Sequence, residues 1–164
     1  MTTNIVYRRI EQKDNRTIAE LIRTVFREFK IDIPGTVYTD PTTDDLYSLF
    51  QTPRSAYWIA EENGVLLGGC GIFPTRELPD GCAELVKFYV AAASRGKGVG
   101  NTLMQKSIDS ARDFGYTQLY LESFPELSKA VSIYERNGFT SLSHPLGNSG
   151  HFACTLWMVK DLKK

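Results

Sequence analysis

Ser94-Arg95-Gly96-Lys97-Gly98-Val99-Gly100 lies between a β-branched, aromatic run that ends near Ala91 and an amphipathic run that begins near Gly98. Glycines in such a loop let the backbone approach a ligand closely and turn its amide N–H groups to one side. The helix that follows adds unpaired donors and the positive end of its dipole. Together they form an anion cradle suited to a pyrophosphate, to which Arg95 and Lys97 add charge. Two common phosphate loops do not fit. A Walker loop needs Lys followed by Ser or Thr after its last glycine, whereas Gly100 precedes Asn101-Thr102. The dinucleotide fingerprint needs a different glycine spacing in an early strand–helix–strand unit.

Outward from the loop, hydrophobic period and turn chemistry set the elements. On the N-terminal side, Cys82 to Ala91 reads as a strand, preceded by a turn at Pro79-Asp80-Gly81. Ala56 to Glu61 and Val65 to Phe73 form a hairpin about Asn63-Gly64, where both turn residues tolerate positive φ. Asn4 to Ile10 alternates as an opening strand. Asp14 offers an N-cap to a helix with the apolar stripe Ile18, Leu21, Ile22, Val25, Phe26 and Phe29. Lys30 to Asp45 reads as a loop, and a short helix holds Leu46, Leu49 and Phe50. On the C-terminal side, a helix from Gly98 to Phe114 ends at Gly115. A strand from Gln118 to Ser123, a helix from about Glu126 to Asn137-Gly138, and strands at Phe139 to Leu142 and Phe152 to Lys160 complete the chain. Hairpins mixed with a crossover predict an α/β fold with a mixed central sheet flanked by helices.

The bulk properties exclude several classes. The chain has 164 residues, which suits a single domain spanning 1–164. Nineteen basic residues balance nineteen acidic ones, which argues against a nucleic-acid or anionic-membrane binder. No apolar run suits a signal peptide or a membrane span, so a cytoplasmic location is expected. Cys70, Cys82 and Cys154 are odd in number and widely spaced, as reduced thiols would be, and His144 and His151 give no zinc pattern. No metal is expected.

Arg95-Gly96-Lys97-Gly98-Val99-Gly100 resembles the Arg/Gln-x-x-Gly-x-Gly/Ala signature of the GNAT superfamily of N-acetyltransferases. The resemblance extends through Glu84-Leu85-Val86-Lys87-Phe88-Tyr89-Val90, Leu121-Glu122 and Ala130-Val131-Ser132-Ile133-Tyr134-Glu135-Arg136-Asn137-Gly138-Phe139. The clear match covers about Ala83 to Phe139, and the order of elements agrees over nearly the whole chain. It implies a GNAT-like sheet of about seven strands with about four helices, its two central parallel strands splayed. It also implies acetyl-coenzyme A as cosubstrate and an amine, in a small molecule or peptide, as acceptor. The strand Phe88-Tyr89-Val90 would pair with the pantetheine arm through the backbone of Phe88 and Val90. Residues Arg95, Gly96, Lys97, Gly98, Val99, Gly100 and Asn101 would hold the pyrophosphate. The protein would act as a monomer or homodimer.

Acetyl transfer requires that an ammonium of pKa about 10 lose its proton, that an oxyanion be stabilised and that a thiolate be protonated. Direct transfer needs no protein nucleophile. The resemblance places Tyr134 as general acid near the coenzyme sulfur, and offers two bases, Glu84 before the loop and Glu122 at the end of the next strand. Burial between splayed strands would raise either carboxyl towards neutrality. Many relatives carry an asparagine where this chain has Leu127. Gly147-Asn148-Ser149-Gly150-His151-Phe152 is similar to the ending of certain bacterial GNAT proteins, including domains fused to MarR-type regulators, and offers His151 to the acceptor pocket. Asp32, Tyr38, Asp40, Asp44 and Asp45 give the loop after the first helix an acidic character that would attract a cationic amine. The alternative to an enzyme is a non-catalytic acyl-coenzyme A-binding regulatory module; thiol release with a supplied amine separates the two.

Overall fold

A computed structural model describes residues 4–163. Seven strands form one sheet in the order β1-β2-β3-β4-β5-β7-β6: β1 Ile5–Arg9, β2 Ala56–Glu62, β3 Val65–Phe73, β4 Cys82–Val90, β5 Gln118–Ser123, β6 Thr140–Leu142 and β7 Leu156–Asp161. Only β4 and β5 run parallel; every other pairing is antiparallel. The helices are α1 Asn15–Glu28, α2 Leu46–Leu49, α3 Val99–Asp113 and α4 Ser128–Arg136. The mixed sheet and the GNAT-like arrangement are as the sequence predicts.

Period-two alternation divides the core between the two faces of the sheet. Ala60, Cys70, Ile72, Leu85 and Phe88 pack with Val99, Leu103, Met104 and Ile108 of α3 and Tyr134 of α4. Tyr57, Ile59 and Tyr89 pack on the other face with Ile18, Ile22, Val25 and Phe26 of α1 and Leu46 of α2. Asn63 and Gly64 turn the β2–β3 hairpin at φ 51° and 81°.

Several boundaries differ from the sequence reading. Asp14 occupies the N-cap position of α1, but its side chain makes no capping bond. Its carboxylate accepts instead from Glu11 N at 2.8 Å and from both terminal nitrogens of Arg8 at 2.8 and 2.9 Å. A buried carboxylate gains more from a guanidinium than from one amide. The segment Lys30 to Asp45 is built on 3-10 turns at Val37–Thr39 and Pro41–Asp45. The last strand begins at Leu156, not Phe152. Phe152 is 82 % exposed and lays its ring over Gly35. Ala153 N donates to Gly35 O at 3.0 Å, so this stretch docks on a loop rather than on the sheet.

Candidate active site

The parallel pair opens soon after it forms. Cys82, Ala83 and Glu84 pair with Gln118, Leu119 and Tyr120, and no later residue of β4 pairs with β5. From Leu85 onward a wedge separates the strands, so the predicted splay is present. One cause lies on the opposite edge. Lys87 and Phe88 together stand opposite Cys70, because Gly69 pairs with Tyr89 and Gly71 with Val86. Lys87 takes φ 52°, a left-handed conformation that costs a non-glycine residue about 1–2 kcal/mol. The bulge bends β4 and resets its alternation. Leu85 and Phe88 thus share one face of the sheet, and Val86 and Tyr89 the other.

The bulge is held from below. A Cβ at Gly69 or Gly71 would stand 2.5–2.6 Å from the nearest atoms of Tyr57 or its neighbour, so only glycine admits the Tyr57 ring there. Tyr57 is 1 % exposed, and its hydroxyl donates to the Lys87 carbonyl at 2.7 Å.

At the end of β4 the loop turns through Gly96 and Gly98, both near φ 80°. The first bond of α3 runs from Thr102 N to Gly98 O at 3.1 Å. The amides of Gly96, Lys97, Gly98, Val99, Gly100 and Asn101 therefore donate to no backbone carbonyl among the described residues. Space beside Gly96 and Gly98 is open, and a Cβ on Gly100 would come within 3.2 Å of Phe88 and Ile133. A succession of free amides at a helix start fits a diphosphate. Lys97 is exposed at this mouth. Arg95 points elsewhere: it forms a bidentate pair with Glu28 at 2.5 and 2.9 Å, stacks on Phe29 and donates from Nε to Val90 O at 3.1 Å. The Val90 carbonyl thus already has a partner. Asn101 Oδ1 accepts from Asn137, joining α3 to α4.

At the inner end of the wedge Glu84, Glu122, Tyr134, Leu127 and His151 line one cleft. Glu84 is 4 % exposed and accepts from Thr75 Oγ1 at 2.5 Å. Burial, then the charge of Glu122, pushes its carboxyl up to about 8, against the Thr75 bond and the Lys87 charge. Glu122 accepts from Tyr120 at 2.7 Å and from Ser149. Tyr134 is buried, its ring 5.8 Å from that of Phe88 and 5.9 Å from that of Phe139. Burial first, and Cys70 second, raise its phenol far above the ordinary value, so it keeps its proton.

Comparison with known proteins bears on the same residues. The model of the Acetyltransferase (GNAT) family matches residues 18–139. The chain belongs to the GNAT family of acetyltransferases. An Escherichia coli K12 protein, uncharacterized N-acetyltransferase YjgM, is 36 % identical over 158 residues, covering 96 % of this chain and 95 % of its own. Rat N-acetyltransferase 8B is 31 % identical over 66 % of this chain, which spans 47 % of that protein. Among solved structures, a GNAT acetyltransferase from Staphylococcus aureus Mu50 superposes with a TM-score of 0.84 at 20 % identity, covering 96 % of this chain and 99 % of its own. Salmonella typhimurium yncA, solved with acetyl-CoA, superposes at 0.76 and 23 % identity, covering 99 % and 96 %.

The cysteines of this acetyltransferase are poor nucleophiles. Burial pushes the thiols of Cys70 and Cys154 up to about 12 and that of Cys82 up to about 11. The acidic residues of the loop also build structure. Asp44 pairs bidentately with Arg23, and Asp45 caps α2 through Ser48 N and accepts from Asn15. Asp40 accepts from Thr42 N at 2.9 Å, Thr42 Oγ1 at 2.7 Å and, across the cleft, His151 Nε2 at 2.7 Å. Burial alone would raise Asp40; these bonds and Lys87 outweigh it and hold its carboxyl well below the usual range. Lys87 and Tyr57 escaped the sequence reading. The only sequence signal for Lys87 was a lysine within an otherwise buried strand.

Proposed function

We propose that this acetyltransferase moves an acetyl group from acetyl-coenzyme A directly to a primary amine, with Glu84 as general base and Tyr134 as general acid. The supporting observation is the wedge between β4 and β5, which runs from six unbonded amides at one end to a buried, proton-holding pair at the other. Residues Gly96 to Asn101 would hold the diphosphate, and Phe88 to Val90 would offer strand edges to the pantetheine arm. When bound, the coenzyme supplies an acetyl group activated as a thioester.

The chain's own groups divide the proton work. A carboxyl near 8 is half ionised close to physiological pH, where a base accepts a proton with useful driving force. Tyr134 keeps its proton and gives it to the departing sulfur. Glu122, tied by two hydroxyls, adds to the effect of burial on Glu84 and stands as the second candidate base. His151 positions Asp40 and closes the acceptor side of the cleft. The protonated thiols are weak nucleophiles, which supports direct transfer. We read residues 4–163 as one such domain.

Calorimetry with acetyl-coenzyme A, followed by thiol release across an amine panel, tests the reading. Saturable uptake and amine-dependent release are expected. Uptake without release for any amine would refute catalysis, and absence of uptake would refute the cradle.

A further inference from the structure

We propose that the acceptor carries an anionic group, above all a carboxylate, a few bonds from its amine, and that Lys87 Nζ is the seat of that group. This rests on the reading of the site as an amine acetyltransferase.

Lys87 carries an enclosed charge whose one ion-pair partner among the described residues, Asp40, is distant. Its side chain is 4 % exposed, yet its ammonium, with three donors, makes no hydrogen bond among the described residues. Asp40 Oδ2 lies 4.0 Å away, beyond hydrogen-bond reach, and Asp40 already accepts from Thr42 and His151. Lys87 lines a cleft together with Glu84, Thr75, Ser149 and His151. An ammonium so enclosed and without a hydrogen bond is costly, and here it also sits on a strained residue of the bulge. Such an arrangement calls for an explanation, and a ligand that completes it is one.

The rest of the cleft selects the sign of that ligand. Arg76 stands exposed at its rim and adds a second cation. Asp40, Asp44 and Asp45 are occupied by partners within the chain. A polycation would therefore meet the cations Lys87 and Arg76, while Asp40 is already held by Thr42 and His151. A carboxylate at Lys87 would supply the missing hydrogen bonds. Glu84 lines the same cleft, so an amine a few bonds away would lie beside the base.

The test compares matched acceptors with purified full chain: amino acids, their carboxamides, simple diamines and phosphoethanolamine, by thiol release. A charge-assisted bond lost with the carboxylate predicts at least about a tenfold preference in kcat/KM for the amino acid over its carboxamide. Lys87→Met should abolish that preference through KM while leaving coenzyme uptake intact, and Lys87→Arg should retain part of it. Preference for phosphoethanolamine over both would keep the anion site and identify a phosphate as its occupant. Equal use of carboxamides or diamines by the wild-type protein, which needs no folded variant, would overturn the proposal and leave the acetyltransferase reading standing. No release with any amine would overturn both.

Discussion

Glu84→Gln removes one ionisation from the interior while keeping the shape and the acceptor atom for Thr75. Burial and Glu122 lift this carboxyl from the ordinary 4.5 to about 8. A raised carboxyl pKa means that the folded chain holds the proton more tightly than the unfolded chain. The group therefore costs nothing below about pH 4.5 and withdraws stability as the pH climbs to about 8. At about 1.4 kcal/mol per pH unit across that window, full ionisation removes on the order of 5 kcal/mol. Glutamine resembles the protonated acid. The variant should thus match the wild type within about 1 kcal/mol at pH 5 and exceed it by several kcal/mol at pH 9. Urea unfolding of both proteins from pH 5 to 9 measures the difference. The same titration should govern turnover: wild-type kcat/KM rises through about pH 8, and the variant loses about 10²-fold or more. A stability difference that stays flat with pH would refute the electrostatic account, and unimpaired turnover would refute the role as base.

Tyr134→Phe should lower kcat by about 10²-fold, within the range for loss of a positioned acid, with coenzyme affinity by calorimetry unchanged. Equal loss in both would mark Tyr134 as a packing residue only. Gly98→Val forces a β-branched side chain to φ 80°, costing about 1–2 kcal/mol or more, and turns the cradle amides. Its thermal midpoint should fall and its affinity for coenzyme A should drop at least about tenfold; unchanged affinity would count against the cradle. Tyr57→Phe strips the bulge carbonyl of its donor at a cost of about 1–3 kcal/mol. It should also reduce kcat although Tyr57 does not line the cleft, a loss that an ordinary core hydroxyl would not produce.

Much of this was legible from local pattern. The hairpin at Asn63-Gly64, the stripe of α1 and the glycine loop are encoded in neighbouring residues, and the structure repeats them. What was hidden depends on partners distant in sequence. Asp14 looks like a cap until Arg8 lies beside it, and Arg95 looks like a phosphate ligand until Glu28 claims it. Phe152 reads as strand by its neighbours, yet Gly35 offers its ring a platform. Glu84 and Glu122 are both candidate bases in the sequence, Glu84 the favoured one. Their surroundings differ through Thr75 and Ser149, which no local window relates to them. Lys87 was hidden for another reason: a bulge is a fault in alternation, and one buried lysine does not reveal the register of its neighbour strand.

The bridges Asp40–His151 and Gly35–Ala153 tie the stretch before α2 to the stretch before β7, whereas Tyr57 anchors the β4 bulge from the sheet. Roof and floor thus have their own fastenings and meet where Ser149 donates to Glu122 and Asp40 faces Lys87. A descendant chain could exchange both roof segments as a matched set, acquiring a new repertoire of acceptors, provided that the groups facing Lys87 and Glu122 were kept. Diversification would then leave the reaction itself untouched, and grafts that swap only one of the two segments should fail where the pair succeeds.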